Sequence, residues 1–271
     1  MEIGVTLRSM GRASSVGTLG ACAERAEEAG FDALWLPDHI AIPPDDAEGS
    51  QGRYLDALAT LSWIAGRTRT IGLGLGVLVL PYRRPLPTAR WLATIQELSG
   101  GRLRAGVGVG WMEAEFRALG IDRSRRGRDS DAVLACIETC FRAPDDIAVC
   151  NGQPFLFRPR PARPPILVGG AAPHALTRAA RFGDGWFPMG ADPAGLAPGI
   201  AELRARFADA GKAEPQVVAL GALPADDPPR AHDLLAELER IGVTHFVHGA
   251  RYDDEAGFAR AIEPALEQIR G

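Results

Sequence analysis

Short apolar runs alternate with segments whose apolar residues recur every three or four positions, and this alternation continues along the chain. Short apolar runs are typical of buried strands, and the 3–4 spacing predicts helices. The runs predict eight strands: Glu2–Leu7, Ala33–Leu36, Thr70–Leu78, Leu103–Val109, Pro165–Val168, Gly185–Pro188, Gln216–Leu220 and Val243–Val247. The spaced segments predict eight helices: Ser14–Ala29, Tyr54–Ala65, Leu86–Leu98, Gly127–Phe141, Pro173–Phe182, Pro193–Ala210, Arg230–Ile241 and Asp254–Ile269.

Strict alternation of strands and helices indicates a parallel sheet covered by helices. Eight such units in roughly 250 residues favour an α/β fold of the (β/α)8 TIM barrel type, predicted as one domain over residues 1–271. The alternative is a doubly wound open sheet, which commonly carries a G-x-G-x-x-G turn after its first strand. Here Arg8-Ser9-Met10-Gly11 follows that strand. Within the irregular segment 147–158, Asn151-Gly152 predicts a tight hairpin turn.

Composition excludes several classes of protein. The chain is 46% hydrophobic and 24% charged with a net charge of −4, so it offers no electrostatic reason to bind nucleic acid or an anionic membrane. Its longest apolar stretch, Ile71–Leu80, is about half of the ~20 residues that a transmembrane helix needs. The first residues lack the basic region of a signal peptide. We therefore expect a cytoplasmic protein.

Metal chemistry finds little support in the residue spacing. Cys136 and Cys140 lie one helical turn apart and far from any histidine, which predicts free thiols and not a zinc site. His245 and His248 lie three positions apart, so along a strand they point to opposite faces. Motifs for zinc proteases, P-loop enzymes and α/β-hydrolases are missing from the sequence. The sequence predicts no metal site.

One acid–imidazole pair follows a predicted strand, because Asp38-His39 comes directly after the second strand. TIM-barrel enzymes carry their catalytic groups at the carboxyl ends of the strands. Histidine transfers protons near neutral pH, and a neighbouring carboxylate can set its tautomer. The alternative is structural, with Asp38 capping a turn and His39 half-buried in packing. Both interpretations remain open from the residues alone.

Glycines alternate along two neighbouring strands: Gly72, Gly74 and Gly76 on the third, and Gly106, Gly108 and Gly110 on the fourth. Period-two spacing places each set on one face. We attribute Gly72, Gly74 and Gly106 to close packing of helices against the barrel. At the strand ends, Gly76, Gly108 and Gly110 are expected to leave space for a planar ring against the backbone.

A second glycine feature predicts a phosphate site. Gly169-Gly170 ends the fifth strand just before a helix, whose N-terminus can bind phosphate through free N–H groups and the helix dipole. A ring site together with a phosphate site is typical of a nucleotide-like cofactor.

At these residues the chain resembles the bacterial luciferase-like flavin and deazaflavin (F420) oxidoreductases. The resemblance covers residues 1 to about 190 in family order, and each motif is weak alone but the ordered set is specific. The matching stretches are AGFDALWLPDH at 29–39, LSGGR at 98–102, GVGVGW at 106–111 with Glu115-Phe116, and PILVGG at 165–170 with GDGW at 183–186.

The resemblance implies a barrel that binds F420 or FMN at its strand ends. It implies a non-proline cis peptide at Gly76-Val77 under the cofactor ring, the pair Asp38-His39 beside the reactive face, and phosphate contact at Gly169 and Gly170. Some F420-dependent members carry a catalytic glutamate where Trp111 stands here, so no second acid is assigned, with Glu113 a weak substitute. A homodimer is expected from the resemblance alone.

We therefore predict an F420-dependent oxidoreductase that transfers a hydride between the deazaflavin C5 and a small organic substrate. His39 would donate or accept the proton, Asp38 would orient it, and Trp111 and Trp186 would shape an apolar pocket. The predicted cofactor-binding residues are Gly76, Val77, Gly108, Gly110, Trp111, Gly169 and Gly170. The alternatives are an FMN-dependent monooxygenase of the same family and a barrel that binds a cofactor without catalysis.

Overall fold

The computed structural model describes residues 1–47, 49–224 and 226–270, so Glu48, Ala225 and Gly271 of the predicted domain lie outside the described residues. The described part contains ten strands: β1 Glu2–Thr6, β2 Ala33–Leu36, β3 Gly72–Val79, β4 Leu103–Gly108, β5 Ile147–Cys150, β6 Gln153–Leu156, β7 Ile166–Gly169, β8 Gly185–Phe187, β9 Gln216–Gly221 and β10 His245–His248. Its helices are α1 Val16–Glu28, α2 Ala57–Ala65, α3 Pro85–Leu98, α4 Glu113–Ala118, α5 Arg126–Phe141, α6 His174–Phe182, α7 Pro193–Asp209, α8 Pro228–Ile241, α9 Glu255–Ala261 and α10 Glu263–Arg270.

Eight parallel strands close into a barrel in the order β1-β10-β9-β8-β7-β4-β3-β2. The first and last barrel strands pair directly, with Glu2 opposite His245. An open doubly wound sheet has two edge strands, each paired on one side only, so the closure excludes that alternative. The predicted TIM barrel is confirmed.

The predicted elements differ from the structure at a few places. The hairpin β5–β6 turns at Asn151-Gly152 as predicted, with φ of 50° and 76°. Helix α4 was not predicted. The last predicted helix is broken at Ile262, because Pro264 has no N–H to donate to the carbonyl four residues earlier.

Five helices begin directly after a residue whose side chain caps their first turn. Ser15, Asp56, Asp192, Asp227 and Asp254 each accept a hydrogen bond from a backbone N–H in the first turn of the following helix. Such caps satisfy N–H groups that have no partner inside the helix. Among the described residues, no helix is both long and apolar enough to cross a membrane.

A single indole fills much of the barrel interior. Trp35 on β2 stands opposite Gly74 on β3, and a Cβ atom at Gly74 would overlap the indole ring. On the other side, a Cβ atom at Gly4 would lie 2.7 Å from the indole Nε1. Phe187 packs edge-on against Trp35 with ring centroids 5.3 Å apart.

The glycine stripe therefore faces inward, and the predicted packing against helices is wrong for Gly72, Gly74 and Gly106. Gly74 makes room for Trp35, and a Cβ at Gly106 would meet the Leu75 carbonyl and Phe187. Period-two spacing reports that the glycines share a face, but it does not tell which face. A Cβ atom at Gly72 would also meet the β2 residue Ala33, so its close neighbour is a strand as well.

We expect Gly74→Ala to lower the free energy of unfolding by about 1–3 kcal/mol or more, because the added methyl group has no room beside a rigid buried indole. Gly17→Ala is the matched control, since Gly17 is exposed in α1 and a Cβ there meets nothing within 4 Å. That variant should leave stability unchanged or raise it by up to about 1 kcal/mol, because alanine favours helix more than glycine does. Denaturant unfolding measures both, and equal effects would contradict the packing described.

Candidate active site

A cavity of about 580 Å³ opens where the barrel strands reach their carboxyl ends. Its floor is apolar and includes Trp35 and Phe187, and Gly76 is the predicted cofactor-binding residue that lines it. Pro37 also lines it, so His39 lies within two residues of the cavity wall. This volume falls in the range of small-molecule and cofactor sites, about 300–1,000 Å³.

Two arginines bring positive charge to this cavity. Arg8 and Arg251 both line it. The backbone N–H of Arg8 donates to the Tyr252 hydroxyl at 2.7 Å, and its Nη2 donates to the Gly49 carbonyl at 3.3 Å. The Arg8 Nε is buried and has no hydrogen-bond partner among the described residues. A planar apolar group that carries an anionic substituent fits these walls.

His39 is held by the buried carboxylate of Glu115, which lies on α4, the helix that follows β4. Its Nδ1 lies 3.0 Å from Oε2 of Glu115, which is only 1% exposed. Glu115 Oε1 accepts hydrogen bonds from the N–H groups of Ile40 at 2.6 Å and Ala41 at 3.0 Å. The hydroxyl of Tyr82 donates to Oε2 at 3.0 Å. Four donors thus converge on one carboxylate.

These donors set the charge of Glu115 and the tautomer of His39. Burial alone would raise the pKa of Glu115, but the hydrogen bonds from His39, Ala41 and Ile40 outweigh it and lower the pKa to about 2. An ionised carboxylate can only accept, so the proton between them belongs to His39 Nδ1. The imidazole Nε2 forms no hydrogen bond with the described residues, which leaves it available for a reactant.

The predicted orientation of His39 by Asp38 is wrong. Both oxygens of Asp38 bind Arg83, with Nη1–Oδ2 at 2.6 Å and Nη2–Oδ1 at 2.8 Å. Oδ2 also accepts the N–H of Val79 at 2.8 Å. Adjacency in sequence therefore does not place the Asp38 carboxylate against the His39 ring. Asp38 instead ties the end of β2 to the end of β3.

Arg83 and Glu115 are the site residues that the sequence did not assign. Glu115 lies in one of the stretches that match the family, but its side chain binds residues that lie 74 to 76 positions earlier in the sequence. The weak substitute, Glu113, is exposed and pairs only with Arg117, at 3.0 Å, among the described residues. No local pattern distinguishes the buried carboxylate from the exposed one, apart from the apolar Phe116 beside it.

Trp111 and Trp186 do not share one pocket. Trp111 is 66% exposed, and its ring lies edge-on to His39 with centroids 6.3 Å apart. Trp186 is buried, and a Cβ at Gly199 of α7 would lie 2.7 Å from its ring. Because Trp186 faces a helix, its predicted place in an apolar pocket is wrong.

The non-proline cis peptide at Gly76-Val77 is present as expected. The space expected at Gly108 and Gly110 is filled, however. A Cβ at Gly108 would lie 2.7 Å from Val77 Cγ2, and one at Gly110 would lie 2.8 Å from Val79 Cγ1. The side chains of Val77 and Val79 from the neighbouring strand occupy the space beside these two glycines, so the expected open space is absent there.

Gly169, but not Gly170, lies close to the same valine. A Cβ at Gly169 would lie 3.2 Å from Val77 Cγ1. Gly170 adopts a φ of 115°, a conformation that side chains disfavour, and its carbonyl accepts a hydrogen bond from Trp186 Nε1 at 2.8 Å. The turn leads through Pro173 into α6. Phosphate contact there stays a prediction.

Comparison with known proteins identifies relatives of the whole chain. The family described as luciferase-like monooxygenase matches residues 1–269. An uncharacterized protein of Mycobacterium tuberculosis is 30% identical over 269 residues, covering 92% of this chain and 89% of its own. The F420-dependent hydroxymycolic acid dehydrogenase of the same organism is 30% identical over 181 residues, covering 64% of this chain and 49% of its own.

A solved structure extends the likeness of fold. An F420-dependent secondary alcohol dehydrogenase in complex with an F420-acetone adduct superposes with a TM-score of 0.79 at 16% identity, covering 100% of this chain and 99% of that one. At this identity the likeness concerns the fold alone.

The low pKa of Glu115 predicts a pH-dependent contribution to stability. Its folded-state pKa lies below the unfolded value, so the stabilisation is complete above about pH 4.5 and is lost as pH falls toward 2. A shift of this size corresponds to about 3 kcal/mol at pH 7. We expect Glu115→Gln to cost on the order of 2–3 kcal/mol at pH 7 and roughly half of that at pH 3.

Denaturant unfolding at the two pH values measures this difference. Glu113→Gln is the matched control, because this exposed carboxylate should contribute no more than about 0.5 kcal/mol at either pH. A pH-independent loss in Glu115→Gln would show that shape, and not charge, accounts for the role of the side chain.

Proposed function

Because the chain belongs to the luciferase-like monooxygenase family, a family of oxidoreductases, we propose that it is an F420-dependent oxidoreductase acting on a small organic substrate. The observation that carries the proposal is His39, held by ionised Glu115 with Nε2 free, two residues along the chain from Pro37, which lines the apolar cavity. The relative named as an F420-dependent dehydrogenase supports this choice of cofactor. Likeness of fold at 16% identity does not choose between F420 and FMN.

The residues present fit a deazaflavin. F420, when bound, exchanges a hydride at C5 of its planar ring. Gly76 and Val77 would lie under that ring, with Trp35 and Phe187 as the apolar floor. A Cβ atom at Gly76 would lie 3.5 Å from the Phe187 ring, so the missing side chain leaves the backbone accessible from the cavity.

The remaining predicted cofactor residues have different proposed tasks. Gly169 and Gly170 would contact a phosphate together with the first turn of α6. Gly108 and Gly110 would act indirectly, by letting Val77 and Val79 pack at the strand ends. Trp111 would cover the side of His39 that faces solvent.

His39 is the proposed proton donor or acceptor. Its Nδ1–H is directed to Glu115, so Nε2 presents the lone pair, or after protonation the N–H, to a substrate oxygen. The Glu115 charge stabilises the imidazolium that forms when His39 takes a proton. Asp38 is a positioning residue in this scheme, acting through Arg83 on the segment that carries His39.

The relatives suggest which substrates to test first. Two of them are named as dehydrogenases, one of a hydroxymycolic acid and one of secondary alcohols. The apolar cavity suits a hydroxyl or carbonyl carbon with apolar substituents. We propose that the substrate is an alcohol or its carbonyl product, handled in the cytoplasm by a homodimer of this chain.

We expect the purified protein to bind F420 with micromolar or tighter affinity and FMN at least about 100-fold more weakly, a difference of about 2.7 kcal/mol. Fluorescence titration of each cofactor measures this. The converse order of affinities would replace this proposal by the FMN-dependent monooxygenase. F420 binding without turnover of any alcohol or ketone in a broad panel would favour the barrel that binds a cofactor without catalysis.

His39→Ala should lower kcat with the best substrate of that panel by about 100- to 10,000-fold, because it removes the proton-transferring group. F420 affinity should change little, since the proposed ring contacts lie elsewhere. His232→Ala is the control, because His232 is exposed on α8. Turnover that is unchanged in His39→Ala would remove this residue from the mechanism.

A further inference from the structure

Three thiols converge outside the barrel, where the hairpin β5–β6 packs on α5. Cys136 and Cys140 lie on α5, and Cys150 is the last residue of β5. All three are free cysteines, and their Sγ atoms lie within 4.8 Å of one another. The Cys136 and Cys150 sulfurs are 3.5 Å apart. None of the three lines the cavity of the candidate active site.

The fold creates this group from residues that the sequence keeps apart. Residues four positions apart share one face of a helix, which explains Cys136 and Cys140. The tight turn at Asn151-Gly152 holds the end of β5 against that face. The sequence predicts Cys136 and Cys140 as neighbouring free thiols, and the structure places Cys150 beside them.

The spacing of the sulfurs matches a metal site. A zinc ion binds thiolate sulfur at about 2.3 Å, which places tetrahedral sulfur ligands about 3.8 Å apart. The observed separations, from 3.5 Å to at most 4.8 Å, lie on both sides of that value. Shifts of about 1 Å or less would bring all three sulfurs into contact with one ion.

We propose that Cys136, Cys140 and Cys150 form a site for a Zn²⁺ ion, with water as the fourth ligand. An all-sulfur donor set selects a soft or borderline ion over Mg²⁺ or Ca²⁺. Cys136 and Cys150 are half-buried, so water reaches the open coordination position.

The surroundings suit the charge of the filled site. Three thiolates and Zn²⁺ carry a net charge of −1. The positive charge of Arg90, whose guanidinium stacks on Phe157 at 4.4 Å from the ring centroid, acts on the Cys140 side chain.

The bound ion would join the hairpin to α5 and stabilise the folded chain. Binding to the native state alone raises the midpoint of thermal unfolding. At a free zinc concentration about 100 times the dissociation constant, we expect an increase of about 5 °C in Tm.

The test uses the full chain, reduced and freed of metal under anaerobic conditions. Titration with Cd²⁺, followed by the ultraviolet thiolate-to-metal absorption, should give one ion per chain, and an excess of Zn²⁺ should compete for the same site. Cys140→Ala and Cys150→Ala should each weaken binding at least about 100-fold. Cys22→Ala is the matched control, because this buried cysteine lies outside the cluster and should leave affinity unchanged.

Two results would overturn the proposal. One is no Zn²⁺ or Cd²⁺ binding tighter than about 1 mM in the reduced wild-type protein, a ΔG of about −4 kcal/mol at most. The other is binding that persists in both Cys140→Ala and Cys150→Ala. The Cys140→Ala variant can fail to fold because Cys140 is buried. In that case Cys150→Ala still tests the proposal, because Cys150 is half-buried in a hairpin.

Discussion

The packing of the Trp35 indole inside the barrel is the constraint on which the rest of the structure depends. A ring of this size fits only because the neighbouring strands present Gly4 and Gly74 where other barrels would present side chains. Together with Phe187 it closes the lower interior, so the cavity can form only above it, at the carboxyl ends of the strands. The position of the candidate site is thus a consequence of how the core is filled.

Two buried carboxylates then organise the strand ends. Glu115 gathers donors from the segments after β2 and β3, and its negative charge decides which nitrogen of His39 carries the proton. Asp38 and Arg83 form a bidentate pair that holds the same two strand ends. Each charge is buried with its partners, which is the condition under which buried charges are tolerated. The result is an imidazole with one free nitrogen, two residues after the cavity-lining Pro37.

Much of the fold and part of the site could be predicted from sequence. Strand β2 begins and ends where the apolar run predicts, and the hairpin turn follows from Asn151-Gly152. His39 and the cis peptide at Gly76-Val77 were predicted too. The role of Glu115 was missed because the donors that bind it lie 33 to 76 positions away, and hydrophobic periodicity describes only neighbours along the chain.

The sequence by itself determined the alternation of strands and helices, the closed barrel that such alternation favours, and histidine as the candidate for proton transfer. Only the tertiary structure decided which carboxylate binds His39, which face the glycines share, and that Cys150 joins Cys136 and Cys140. The physical reason is the same in each case. Periodicity follows from backbone geometry and is local, whereas side-chain partners depend on which segments closure of the barrel brings together.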